Sequence, residues 1–211
     1  MNNEKTQLSR LGIAGGTFDP IHIGHLIIAE IARQEFNLDK ILFIPTGTPP
    51  HKMGYGVTPS YQRYEMTKAA IMDNPYFEIS ALEVEREGIT YSIDTLKELK
   101  KIYSDKTEFF FIIGGDTLLE VRTWKDAEKV VKGCSLLVYS RPGCDKSREE
   151  AEAELLRRNM GASVYFIHGP MLDVSSTDIR QRVMTGKTIR YMVPPMVEEY
   201  IYSNSLYRSG S

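Results

Sequence analysis

The chain has 211 residues, 42% of them hydrophobic and 26% charged, with a formal net charge of −2, the profile of a globular protein with an ample core. A charge so near zero gives no support to whole-surface binding of nucleic acid. No apolar stretch reaches membrane-span length, the start Met1–Arg10 is too polar for a signal-peptide core, and two cysteines (Cys134 and Cys144) are too few for a disulfide framework, so a reduced, cytoplasmic protein is expected.

In chain order, strands are predicted at Leu11–Ala14, Ile41–Ile44, Phe77–Ser80, Phe109–Ile113, Leu136–Tyr139 and Val164–Ile167. Most are short, unbroken apolar runs, the pattern of parallel strands covered on both faces. Helices are predicted between them at His25–Phe36, Ser60–Ile71, Ile93–Tyr103 and Arg148–Asn159, then from Ser176 to Val183 and from Pro195, with proline in its first turn, to Tyr202. The alternation predicts an α/β fold with a doubly wound, mainly parallel, Rossmann-like sheet. No repeat or linker breaks the chain, so residues 1–211 are expected to form one domain with a C-terminal helical part from about 176.

In such sheets ligands gather beyond the carboxyl ends of the strands, and the chain's unusual loops fall there. Gly15-Gly16-Thr17-Phe18-Asp19-Pro20-Ile21-His22-Ile23-Gly24-His25 follows the first strand, and Pro45 to Lys52 follows the second. Gly114-Gly115-Asp116 follows the fourth, Ser140-Arg141-Pro142-Gly143 the fifth, and Asp173 to Arg180 the sixth. Three of the four histidines lie in these loops.

The first loop carries the strongest signal. Small residues let a phosphate approach the backbone, and the helix that follows offers amides and its positive end. His22 and His25, three apart, share a face if the first helical turn includes them, and two imidazoles there can stabilise charge built up during phosphoryl or nucleotidyl transfer. Zinc would want further ligands at regular spacing, and no cluster of Cys or His supplies them. The glycines also miss the G-x-G-x-x-G dinucleotide pattern. Phosphate handling is therefore preferred to a plain turn. In the second signal, Ser175-Ser176-Thr177-Asp178-Ile179-Arg180, Ser175 or Ser176 can cap a helix while Arg180 reaches an anion one turn in. Alone it would be an ordinary cap and a surface arginine; with the first motif it becomes the far wall of a triphosphate site.

Together these motifs resemble the nucleotidyltransferase superfamily with the HIGH-type signature. Within it, the chain is similar to the bacterial nicotinate mononucleotide adenylyltransferases from Gly12 to about Tyr200. The likeness includes Glu87 to Leu96, and the narrower branch rests on Pro49-Pro50-His51-Lys52 and Asp116 to Trp124. It implies attack of a nicotinate mononucleotide phosphate on the α-phosphorus of ATP, giving nicotinate adenine dinucleotide and pyrophosphate, with Mg2+ on the ATP oxygens. By the same resemblance His22, His25 and Arg180 are the catalytic phosphate contacts. Gly15, Gly16, Thr17, Phe18, Gly114, Asp116, Ser175, Ser176 and Thr177 bind ATP, with Asp116 on a ribose hydroxyl. Lys52, Thr90, Ser92, Trp124 and Arg141 receive the mononucleotide, with Trp124 stacking on the pyridine ring.

Each residue also has a plainer role. Trp124 is core by default, although its neighbours Arg122, Thr123, Lys125 and Asp126 are polar. Asp116 can simply cap a helix at Thr117–Glu120, and the charged run Arg148–Arg158 reads as a solvated helix face. The partners implied are ATP and a pyridine mononucleotide, with a homo-oligomer left open and neither nucleic acid nor membrane. Rival readings are transfer to nicotinamide mononucleotide, to phosphopantetheine or to a sugar or polyol phosphate, and a non-catalytic nucleotide sensor on the same fold. Neutral contacts and backbone amides would separate acid from amide on the pyridine ring.

Overall fold

The structure is a computed structural model that describes residues 5–48, 56–140, 143–170 and 172–208. Its strands are β1 (Arg10–Gly16), β2 (Lys40–Pro45), β3 (Phe77–Ile79), β4 (Glu108–Gly114), β5 (Ser135–Tyr139) and β6 (Ser163–Phe166). They form one sheet in the order β3-β2-β1-β4-β5-β6, and every neighbouring pair is parallel. From β1 the chain winds outward to β2 and β3, then returns to lay β4 on the other side of β1 and continues to β5 and β6. The switch point lies between β1 and β4, where the crevice for a ligand opens in such sheets.

Alternation along each strand divides the core in two. Leu11 and Ile13 of β1, Leu42 and Ile44 of β2, and Leu136 and Val138 of β5 face one side. There they pack against α3 (Ser92–Ile102), α5 (Ala127–Gly133) and α6 (Lys146–Met160). Ala14, Ile41, Phe43 and Leu137 face the other side. That side is covered by α1 (Ile23–Glu35), α2 (Ser60–Ile71), α7 (Ser176–Met184) and α8 (Pro195–Ser203). Both sides being apolar explains why the strands read as unbroken hydrophobic runs.

The predicted strands and helices all occur, with no end moved by more than two residues. Helix α1 begins at Ile23 with His22 as its cap, so both histidines of the first motif belong to the helix start. Helix α5 was not expected: seven residues are too few to show a helical period. Between β4 and α5 lie α4 (Gly115–Glu120) and a 3-10 turn, Val121–Thr123.

Helix α6 corrects one expectation at two positions. It has a capped start, Asp145 accepting from the Arg148 amide, and ends on Gly161 at φ 66°. Arg148, Glu150, Arg157 and Arg158 of its charged run are exposed as a solvated face would have them, but Glu149 and Glu152 are buried at 2% and 6% exposure. Glu152 holds Arg122 in a two-pronged pair, Nε to Oε1 at 2.6 Å and Nη2 to Oε2 at 2.8 Å. Glu149 accepts from the Ser140 hydroxyl. No helix among the described residues is long and apolar enough to cross a membrane.

Candidate functional site at the switch point

At the carboxyl ends of β1 and β4 a cavity of about 320 Å³ opens, lined by Gly15, Gly16, Thr17, Thr90, Ser92 and Trp124 among others. A larger one, about 430 Å³, is lined by Glu108, Ser135 and Ser163 at the opposite strand ends, far from the histidines and glycines. The smaller cavity lies where the topology places a ligand, and volume alone does not decide between them.

The first motif leaves β1 through two glycines of different kinds. A Cβ on Gly16 would stand 2.9 Å from the Phe18 ring, whereas a Cβ on Gly15 would meet no protein atom within 4 Å. Gly15 therefore keeps space that the protein itself leaves empty. Phe18, at φ 49°, turns its ring into the core, 4% exposed and edge-on to His25 at 5.1 Å, so its backbone is what faces the loop. His22 and His25 stack with ring centroids 3.7 Å apart. His25 Nδ1 accepts from the His22 backbone N–H at 3.2 Å, so a neutral His25 carries its proton on Nε2, which is then the donor nitrogen.

The expected fan of open amides at the start of α1 is partly closed. The His22 N–H is given to His25, and the Ile23 N–H donates to Met192 O at 3.0 Å. An anion at this loop would depend more on side chains than the sequence suggests.

The second motif meets the first. Ser175 caps α7, accepting from the Asp178 N–H at 3.1 Å, while the Ser176 hydroxyl donates to Pro20 O at 2.9 Å. Arg180 Nη1 donates to Asp19 O at 2.7 Å, and Nη2 lies 3.4 Å from Thr177 Oγ1. Two segments some 160 residues apart are joined by direct bonds. The Arg180 guanidinium, half-buried, has donors left for an anion.

The other half of the cavity is polar and aromatic. Trp124 follows the 3-10 turn and is half-buried, packed partly on the core beneath β4 and β5, so the packing role and an open face coexist. Arg122, two residues before it, is the partner of Glu152, which anchors the turn to α6. Thr90 is buried, held to Thr48 O through its amide at 3.4 Å and its hydroxyl at 3.5 Å. Ser92 opens α3 beneath Tyr91, whose ring lies 4.5 Å from Lys125 Nζ. Asp116 is exposed in the first turn of α4, but the cap is Gly114, so Asp116 is not the capping residue. Lys52, Arg141, Pro142 and the Pro49 to Lys52 loop lie outside the described residues.

Three groups escaped sequence reasoning. Glu83 lines the cavity and accepts from Thr95 Oγ1 at 2.7 Å. Burial pushes its carboxyl above the ordinary value, against the pull of the Thr95 hydroxyl and the charge of Arg86. Arg63 on α2 is 1% exposed, and Tyr207 lies beyond α8. An arginine at a helical apolar position was the only signal for Arg63, and Glu83 and Tyr207 offered none. Of the two free cysteines, buried Cys134 has its thiol pushed up to about 12 by desolvation.

With this geometry in place, the comparisons decide the family. The cytidylyltransferase-like family model matches residues 13–182. A "Probable nicotinate-nucleotide adenylyltransferase" of Thermoanaerobacter sp. (strain X514) is 50% identical over 199 residues, covering 94% of both chains. The chain belongs to the nicotinate-nucleotide adenylyltransferases of the cytidylyltransferase-like family. A relative of the same name from Moorella thermoacetica is 46% identical, over 98% of this chain and 95% of its own. Two Plasmodium falciparum nicotinic acid mononucleotide adenylyltransferase structures share the fold. The one complexed with APC has a TM-score of 0.73 at 21% identity, covering 94% of this chain and 97% of its own. The one complexed with NaAD has 0.75 at 20% identity, with the same coverage.

Gly15→Ala is expected to leave the melting temperature unchanged or slightly raised, since a strand glycine becomes alanine. It should weaken ATP binding on the order of tenfold in a calorimetric titration, as an added methyl overpacks a ligand site; unchanged affinity would show that the space is not a ligand's. Glu83 also has a signature in pH. Its folded carboxyl holds a proton to higher pH than the unfolded one, so the unfolded state binds fewer protons in that window and stability falls as pH rises through it. Urea unfolding across pH 4–8 should therefore show Glu83→Gln gaining on the parent as pH rises; parallel curves would remove Glu83 as the source.

Proposed function

We propose that this protein transfers AMP from ATP to nicotinate mononucleotide, releasing pyrophosphate, in the making of nicotinamide dinucleotides. The observation that carries the reading is the bond from Arg180 to the Asp19 carbonyl, which draws the two phosphate motifs onto one edge of the sheet beside a cavity of mononucleotide size. Family membership supplies the reaction class.

A phosphate monoester, with its second pKa near ~6, is mostly dianionic at neutral pH and needs no protein nucleophile. One of its oxygens forms a bond to the α-phosphorus of ATP while the bond from that phosphorus to the bridging oxygen breaks. The electron pair leaves on pyrophosphate. The protein aligns attacker and leaving group and absorbs the charge that develops. His25, through Nε2–H, and Arg180 face that charge, with His22 stacked on His25. Gly15, Gly16, Thr17 and the Phe18 backbone take the triphosphate from one side, and Ser175, Ser176 and Thr177 from the other. Gly114 and Asp116 take the adenosine ribose.

Trp124 stacks the pyridine ring, with Thr90, Ser92, Lys52 and Arg141 around the mononucleotide. Magnesium enters as part of the substrate, on the triphosphate oxygens, where it neutralises charge. Among the described residues no group of three or more His, Cys, Asp or Glu could hold it. A reduced, cytoplasmic setting suits two free cysteines.

Incubation with MgATP and nicotinate mononucleotide should release pyrophosphate and form the dinucleotide, with nicotinamide mononucleotide a poorer acceptor. Equal or better use of the amide would reverse the substrate assignment, and no pyrophosphate with either would favour a nucleotide sensor. His25→Ala should lower kcat by on the order of 10²–10³-fold with a small change in ATP affinity, the usual loss of a transition-state donor; an undiminished kcat would remove His25 from the chemistry.

A further inference from the structure

The loop that carries the phosphate site rests on a buried polar cluster whose members come from four parts of the chain. Asp19, 5% exposed, accepts at Oδ1 from the Tyr207 hydroxyl at 2.7 Å and at Oδ2 from the Thr58 N–H at 3.3 Å. Its backbone carbonyl accepts from Arg180. Beside it Arg63 spends its guanidinium on backbone carbonyls alone. Nη1 donates to Thr17 O at 2.6 Å, Nη2 to Thr46 O at 2.6 Å and Gly47 O at 2.9 Å, and Nε to Thr58 O at 2.8 Å. Burial draws Arg63 below its usual range, and the Asp19 carboxylate works against that shift.

Tyr207 is held in this cluster at some cost. It stands at φ 61°, and Ser205 before it at φ 53°, both in the left-handed region that non-glycine residues avoid. The Leu206 amide turns back onto Ile201 O at 3.0 Å, which curls the chain beyond α8 toward the loop after β1. Leu206 and Tyr207 both pack against the core under α1, α2 and α8. Desolvation and the nearby Asp19 push the phenol well above its ordinary range, so it stays a proton donor to the carboxylate. A strained backbone persists only where its surroundings over-determine it. Here the polar bond that does so ends on the residue that receives Arg180.

We propose that Tyr207 is a positioning residue for the phosphate site. By fixing the Asp19 side chain it sets the carbonyl on which Arg180 rests, and so the aim of the Arg180 guanidinium. The inference rests on the adenylyltransfer reading for its kinetic consequence, but not for its effect on anion binding. A hydrogen bond to a carboxylate is directional, and a misplacement of about 1 Å at reacting groups costs up to ~10²-fold in rate. Removing the phenol oxygen leaves the ring packing intact and frees Asp19 to turn.

The test uses the full-length protein with Tyr207→Phe, Arg180→Lys and both together. Tyr207→Phe is expected to lower kcat about tenfold, with KM for the mononucleotide within about twofold and a melting temperature lower by about 2–6 °C, since buried Asp19 loses a partner. In the Arg180→Lys background it should cost almost nothing further, because the group it aims is already blunted. Titration with inorganic tripolyphosphate should show the same pattern in Kd, a loss in the parent background and none beside Arg180→Lys. Tyr207→Ala, which also removes the ring, should melt lower still, separating packing from the hydroxyl. Additive losses overturn the proposal, as does a Tyr207→Phe protein that melts lower yet keeps the parent's kcat and tripolyphosphate affinity. A parent that releases no pyrophosphate overturns the adenylyltransfer reading instead, and the tripolyphosphate titration still decides the role of Tyr207.

Discussion

The contact on which the rest depends is a single charged hydrogen bond, from the Arg180 guanidinium to the Asp19 carbonyl, reinforced by the Ser176 hydroxyl on Pro20. It joins the loop after the first strand to the start of a helix that follows the last one. Each motif alone is unremarkable chemistry, a glycine turn or a capped helix. Their union makes one polar surface, suited to an anion, from two ends of the chain. The parallel sheet makes that union geometrically cheap, because every strand delivers its following loop to the same edge.

That edge is held by buried polar groups rather than by apolar packing alone. Arg63 is 1% exposed and, among the described residues, has no side-chain carboxylate in a direct pair. It satisfies four carbonyls of three loop segments instead. A buried charge is expensive, and leaving its carbonyl partners unpaired would be expensive too. Such an arrangement tolerates little movement. It gives the loops around Thr17, Thr46 and Thr58 a shared rigid point, which suits a site whose task is alignment. The same logic appears on the other side of the cavity, where buried Glu152 grips Arg122 and so seats the turn that carries Trp124.

The cavity itself combines opposite demands. One wall is glycine backbone and hydroxyls, suited to anions; the other is an aromatic face with a buried carboxyl behind it. Glu83 favours its neutral form through burial, which lowers the electrostatic penalty for an acidic ligand nearby. Thr95 and Arg86 bind into the same group and keep it in place.

The fold was legible in the sequence because parallel strands buried on both faces need unbroken apolar runs, and helices long enough to show a period stand out between them. The first motif, the second motif and the side of the sheet they share were legible for the same reason. Parallel strands alternating with helices put the loop after every strand at one edge, and small residues and histidines in such loops have few structural uses. Helix α5 was too short to show a period. Glu149 and Glu152 looked like solvent-facing charges because a sequence does not say which helix face meets a neighbour. The partial closing of the α1 amides came from Met192, nearly 170 residues away.

Arg63, Glu83 and Tyr207 became visible only in three dimensions. Their meaning lies in partners that are distant along the chain, and burial of a charged or phenolic group is a property of packing, not of local pattern. The sequence by itself determined at which edge of the sheet the two motifs gather. Tertiary structure alone decided how Arg180 is aimed, because that aim is set by a long-range hydrogen bond to a backbone carbonyl, which carries no residue-specific mark.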